Sequence, residues 1–257
     1  MSQTSSDSAL PTIVLVHGAF AESASWNGVI TDLQGRGYRV IAVANPLRGL
    51  QPDAAYLRST LESISGPIVV AGHSYGGSVM TEAADGVSGV RALVYIASFN
   101  LDVGESTADM VGKFPGAMLG TAVDPVPVPL AGGGTGSDLY IRQDEFHAVF
   151  AADVAPDVAA IMAATQRPII ATALEDKATR AAWKTIPSWT MVTLQDLAIP
   201  ADSMRFMAAR AGSTTVEIEA SHAVTVSQPG AVADLIDAAA RATASGDAAR
   251  TVAATAA

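Results

Sequence analysis

The chain has 257 residues, 49% of them hydrophobic, which is ample for one sizeable core and short for two full domains. It contains no cysteine, which excludes a disulfide scaffold, a thiolate metal site and a cysteine nucleophile, and fits a reducing compartment. A formal net charge of -10 disfavours nucleic acid as a partner, because its phosphates would be repelled.

Residues Met1 to Ala9 are polar and lack a basic stretch followed by an apolar one, so no signal peptide is expected and the expected location is cytoplasmic. No apolar run reaches the length of a membrane span. Thr12–Val16 (TIVLV) predicts a buried strand ending at His17-Gly18. Ser25 to Gln34 predicts a helix, with Trp26, Val29, Ile30 and Leu33 at helical spacing and Gly35 and Gly37 to stop it. Arg39–Val43 is a second strand, Asp53 to Ile64 an amphipathic helix, Pro67–Ala71 a third strand, Gly76 to Ala84 a helix and Val90–Ile96 a fourth strand. Alternation at this spacing, with strands almost wholly apolar, predicts an α/β fold with a mainly parallel sheet covered by helices on both faces.

The rhythm breaks from Asn100 to about Lys184. Pro115, Pro125, Pro127, Pro129 and the run Gly132–Gly134 mark irregular chain, while Ala152 to Ala164 and Ala171 to Ala182 read as helices. The stretch is expected to be an inserted, mainly helical cap. Alternation resumes with strand Ser188–Leu194, a helix near Asp202–Ala211, strand Thr214–Ile218 and helix Ala231–Ala242. The expected organisation is a core of residues 10–99 and 185–242, a cap of 100–184, and mobile tails at 1–9 and 243–257.

The strongest chemical signal is Gly72-His73-Ser74-Tyr75-Gly76-Gly77, which follows a strand and opens a helix. Such a turn lifts a serine hydroxyl clear of the sheet, and its glycines let the backbone close up without a Cβ clash. A serine hydroxyl is a weak nucleophile at neutral pH, so it needs a base, and the base needs an orienting carboxylate. Of His17, His73, His147 and His222, the last follows the final strand and comes last in the chain, as the order serine, acid, histidine requires. Asp196, directly after strand Ser188–Leu194, is the candidate acid, and Asp102, after strand Val90–Ile96, is its rival. Two backbone N–H groups are also needed for the developing oxyanion. Tyr75 should give one, and Ala19, with Phe20 as alternative, the other. Phe20 and Phe150 are candidate pocket walls or core aromatics, and His147 is either a partly exposed cap histidine or a substrate contact. No metal-binding spacing and no phosphate loop occurs.

The segments HGAFAESASW (His17–Trp26), GHSYGG (Gly72–Gly77), the acid followed by IP (Asp196 to Pro200) and SHAV (Ser221–Val224) resemble the α/β-hydrolase superfamily. Within it they look closest to small esterases related to plant methylesterases and hydroxynitrile lyases, over most of the chain from Thr12 to about Ala240. The resemblance implies an α/β-hydrolase fold with a cap, Ser74 as nucleophile, Asp196 as acid, His222 as base, and Ala19 and Tyr75 as oxyanion donors. Hydroxynitrile lyases of the group carry threonine where Gly18 stands and lysine after the catalytic histidine. Here that neighbour is Ala223, so the lyase reaction is disfavoured. The expected function is cofactor-free hydrolysis of a small-molecule carboxylic ester, with no nucleic-acid or membrane partner and a homodimer left open. A perhydrolase/haloperoxidase or lactonase using the same three residues, or a slow-turnover ligand receptor, are the alternatives.

Overall fold

The computed structural model describes residues 10–244. The tails expected at 1–9 and beyond Ala244 lie outside the described residues, while Thr243 and Ala244, assigned above to a tail, are the last two residues of a helix.

In chain order the first half runs β1 (Thr12–Val16), a 3-10 turn leading into α1 (Asn27–Gly35), β2 (Val40–Val43), α2 (Leu50–Glu62), β3 (Ile68–Ser74), α3 (Tyr75–Ala83) and β4 (Val90–Ser98). Every residue of β1, β3 and α3 is buried, as the unbroken apolar runs demand of strands covered on both faces. The insertion holds α4 (Thr107–Gly112), β5 (Val123–Pro129), β6 (Thr135–Ile141), α5 (Gln143–Phe150), α6 (Pro156–Thr165), β7 (Ile169–Ile170) and α7 (Ala171–Glu175). The chain closes with β8 (Ser188–Thr193), α8 (Ala201–Ala211), β9 (Thr214–Ile218), α9 (Val224–Ser227) and α10 (Pro229–Ala244).

Six strands form one parallel sheet in the order β2-β1-β3-β4-β8-β9. The chain first moves outward from β1 to β2, then returns to place β3 on the other side of β1. That reversal opens a crevice beyond the carboxyl ends of β1 and β3, where open α/β sheets bind their ligands. Val16 pairs with Gly72, so the His17-Gly18 loop and the Gly72–Gly77 turn emerge side by side.

The insertion carries, besides its helices, a small sheet that was not expected. β5, β6 and β7 form a second, antiparallel sheet in the order β5-β6-β7. Three prolines hid its first strand. Pro125, Pro127 and Pro129 alternate along β5, so their nitrogens all face one side, and β5 has a neighbour only on the other. An edge strand tolerates proline on its open side because no ladder hydrogen bond is lost there. The Gly132–Gly134 run is the turn joining β5 to β6, with Gly133 and Gly134 at φ 89° and 87°. The helix expected over Ala171–Ala182 stops at Glu175 because the following residues bond elsewhere: Asp176 accepts from the Leu50 N–H at 2.9 Å and Ala178 donates to the Glu105 carbonyl at 2.8 Å. The helix expected from Ala152 begins at Pro156, a residue that suits the first helical position because it has no N–H to leave unpaired. Among the described residues no helix is long and apolar enough to cross a membrane.

Candidate active site

Ser74 ends β3 with φ 53° and ψ -129°, a conformation that side chains larger than glycine seldom adopt. The surrounding glycines make it tolerable. A Cβ on Gly76 would lie 2.3 Å from the Val16 carbonyl oxygen, and one on Gly72 would lie 2.7 Å from backbone atoms of Gly76 and Gly77. A Cβ on Gly77 would fall 1.9 Å from the Ser98 hydroxyl. That hydroxyl, at the end of β4, donates to the Ser74 carbonyl at 2.6 Å and fixes the turn from the neighbouring strand. Ser98 was not singled out from sequence, because β4 was expected to end at Ile96 and only strand pairing brings Ser98 opposite Ser74.

His222, 1% exposed, follows β9 and reaches back over the end of β3. Its Nδ1 lies 2.7 Å from Asp196 Oδ2. Asp196, in the loop after β8, is filled with donors: Oδ2 also accepts from the Thr193 hydroxyl at 2.8 Å, and Oδ1 from the Ala198 and Ile199 N–H groups at 2.8 and 2.9 Å. Burial pushes this carboxyl up, but the charge and hydrogen bond of His222, with the Ile199 and Thr193 donors, hold it below the ordinary carboxylate range. An ionised acceptor on Nδ1 requires that nitrogen to carry a proton, so in the neutral form of the ring the lone pair lies on Nε2. Asp102 is excluded from this role. It sits on the surface, accepting from the Val103 N–H at 2.7 Å and pairing with Lys184 at 2.5 Å.

The His222 loop is held beside Ser74 by His73, whose Nε2 lies 2.8 Å from the His222 carbonyl, with the two rings 4.7 Å apart. Burial first, and the neighbouring His222 charge second, lower the His73 pKa to about 3, so the ring is neutral and donates to that carbonyl. From the insertion, the Phe150 ring stands edge-on to His222 at 4.8 Å, and its carbonyl accepts from the Ala223 N–H at 3.0 Å. Ser221 donates to Asp153 in the same region. Among the described residues the Ser74 hydroxyl makes no hydrogen bond, to His222 or to any other group. Such contacts often tighten only when substrate binds.

The first loop lies directly over the serine. A Cβ on Gly18 would be 2.6 Å from Ser74 Cβ and 3.1 Å from its Oγ. His17 braces this loop: its Nδ1 bonds the Gly18 carbonyl at 2.9 Å and its Nε2 accepts from the Asn45 N–H at 3.0 Å. Burial lowers the His17 pKa to about 4, so it too is neutral. Tyr75 is the first residue of α3, where N–H groups lack intrahelical partners. The Ala19 N–H makes no hydrogen bond among the described residues. The Phe20 N–H donates to the Arg167 carbonyl at 2.9 Å, so Phe20 is not an oxyanion donor.

Phe20 instead borders a cleft of about 210 Å³ between residues 20–27 and α6, shared with Ala24, Val158, Ile161, Met162 and Val226. Its ring meets Phe150 edge-on at 6.5 Å, so the cleft is separated from His222 by two aromatic rings. His147 is not among the cleft residues. Its Nε2 bonds the Val154 carbonyl at 2.9 Å and fixes the bend between α5 and α6. A second cleft, of about 470 Å³, lies at the opposite ends of β3 and β4 near Pro67 and Arg91, away from Ser74. Among the described residues no group of three or more His, Cys, Asp or Glu side chains could hold a metal ion.

A parallel sheet with a strained serine turn at its centre and a paired histidine and aspartate on neighbouring loops defines the α/β-hydrolase class. The chain belongs to the alpha/beta hydrolase family, whose pattern matches residues 13–235. It is 27% identical over 251 residues to the alpha/beta hydrolase nvfD of Aspergillus novofumigatus, covering 88% of this chain and 95% of that one. Solved structures with the same fold include polyneuridine aldehyde esterase (TM-score 0.77, 18% identity, 90% of this chain and 99% of the other). They also include the methylesterase MES16 of Arabidopsis (0.75, 15%, 90% and 99%) and a pyrethroid hydrolase of Sphingobium faniae JZ-2 (0.72, 22%, 92% and 100%).

Proposed function

We propose that this hydrolase is a serine carboxylesterase. Ser74 attacks the ester carbonyl while His222 Nε2 takes its proton, and the Ala19 and Tyr75 N–H groups receive the oxyanion. His222 returns the proton to the departing alcohol. It then takes a proton from water, whose oxygen attacks the acyl-enzyme, and gives that proton to the Ser74 oxygen as the acid is released. Asp196 keeps Nδ1 protonated and steadies the charged ring between these steps.

One observation carries the proposal. A buried imidazole has its Nδ1 bonded to a fully donor-saturated carboxylate at 2.7 Å, and its backbone is tied to the residue preceding a serine in a strained turn. That arrangement supports Nε2 as the nitrogen that serves Ser74, since the backbone of His222 is tied to the residue just before the serine. The names of the structural neighbours, an aldehyde esterase, a methylesterase and a pyrethroid hydrolase, support an ester as the substrate. The cleft beside Phe20 offers space for an apolar part of that ester, with Phe20 and Phe150 between it and the base. Labelling with a fluorophosphonate, followed by peptide mapping, tests the mechanism. The adduct is expected on Ser74 and absent from His222→Ala; label elsewhere, or label indifferent to His222, refutes it.

A further inference from the structure

Asp53 is a fully buried acid with no part in the chemistry just described. It stands in the first turn of α2, and burial raises its pKa against the opposing hydrogen bonds of Arg48, Tyr75 and Gly49. Its carboxylate accepts from the Arg48 N–H at 3.0 and 3.1 Å and from the Gly49 N–H at 3.4 Å. The Tyr75 hydroxyl donates to its Oδ2 at 3.0 Å. A carboxyl is costly to bury, and this one does not serve an ion pair: the Arg48 guanidinium turns instead to Asp138.

The tyrosine it holds directly follows Ser74. Tyr75 is therefore fixed at both ends, by the serine turn at its backbone and by Asp53 at its hydroxyl, with its ring 1% exposed between them. The loop that supplies the Arg48 and Gly49 donors is itself gripped from the insertion. Leu47 accepts from the Ile170 N–H at 3.1 Å, and the Arg48 guanidinium bonds Asp138 at 2.8 Å and the Pro168 carbonyl at 3.0 Å. Leu50 donates to Asp176 at 2.9 Å. All four partners belong to the insertion.

We infer that Asp53 is a positioning residue for the oxyanion hole: it anchors the Tyr75 hydroxyl, and through that ring the Tyr75 N–H, while the Leu47–Leu50 loop links the anchor to the seating of the insertion. The inference rests on the serine-esterase reading. Asp53 touches no reacting atom; its effect is on where the N–H points when negative charge develops on the substrate oxygen.

Tyr75→Phe removes only the anchoring hydroxyl, and Asp53→Asn removes the charge while keeping one oxygen acceptor. With p-nitrophenyl acetate, Tyr75→Phe is expected to lower kcat roughly 10-fold, less than the 100-fold or more that follows outright loss of an oxyanion donor. KM should stay within about twofold, because the N–H matters more to the transition state than to the bound ester. Affinity for phenylboronic acid, which forms a tetrahedral adduct on the serine, should weaken in step with kcat. Asp53→Asn should move both quantities the same way; if it does not fold, Tyr75→Phe decides alone. A Tyr75→Phe enzyme with unchanged kcat and unchanged boronate affinity overturns the positioning role, as does a change confined to KM or to thermal stability. A wild-type protein inactive on esters and unlabelled by fluorophosphonate overturns the esterase reading itself, and this role with it.

Discussion

Adding a single methyl group at Gly18 should disable the site while leaving the protein folded. In the structure that methyl would lie 2.6 Å from Ser74 Cβ and 2.9 Å from the His73 carbonyl oxygen. Carbon atoms rest about 3.5–4.0 Å apart, so the overlap is roughly 1 Å, and the groups it strikes are backbone and Cβ atoms with no free rotation. One side must move, either the loop carrying the Ala19 N–H or the turn carrying Ser74. A displacement of about 1 Å at a reacting group can cost about 100-fold in rate. Gly18→Ala is therefore expected to lower kcat on p-nitrophenyl acetate by about two orders of magnitude and stability by about 1–3 kcal/mol, the usual range for overpacking. Gly35→Ala is the control: nothing lies within 4 Å of its Cβ, and as a helical site it should tolerate alanine with activity unchanged. Steady-state kinetics and urea unfolding of both variants make the test. A Gly18→Ala enzyme with kcat within about threefold of wild type would refute the proposal that the group beneath this loop, Ser74, is the nucleophile.

Asp196→Asn should reduce kcat by roughly 1,000-fold or more, since an amide can favour the wrong histidine tautomer, whereas Asp102→Asn should change it by less than about twofold; equal losses would contradict the assignment. Stability should fall as the pH is lowered from 7 to 5. His17 and His73 have folded pKa values depressed to about 4 and about 3 from 6.5, so the unfolded chain binds more protons in this window and acid favours unfolding. The pair should account for about 4 kcal/mol between those two pH values, measurable by urea titration, and a flat profile would rule out two neutral buried rings. Ile161, 65% exposed on α6 at the cleft, offers a probe that should not disturb folding. Ile161→Glu is expected to raise KM for p-nitrophenyl octanoate roughly 10-fold while leaving the acetate ester within about twofold. Equal effects on both esters would remove the cleft from the substrate path.

The serine turn was legible because its information is local. Gly72, Ser74, Gly76 and Gly77 sit within six residues between a strand and a helix, and three glycines are needed there because the backbone of β1 and of the turn itself, and the Ser98 side chain of β4, pass within contact distance. The alternating apolar runs gave the parallel sheet for the same reason, since a strand buried on both faces has no other way to be written. The β5 edge strand was hidden by its own composition. VDPVPVP looks like broken chain until a neighbour on one side, and none on the other, makes its prolines harmless.

Which acid serves His222 could not be read from spacing, because Asp196 and Asp102 both follow strands. The loop after β8 folds two N–H groups and a threonine hydroxyl around one, while Lys184 draws the other to the surface. Nor could spacing show that Arg167, more than a hundred residues away, takes the Phe20 N–H on its carbonyl and leaves the Ala19 N–H without a partner among the described residues. Local sequence thus determined which elements form and where the Ser74 hydroxyl must emerge. The partners of each polar group were decided only by tertiary structure, because a hydrogen bond depends on the distance between two atoms in space and not on their separation along the chain.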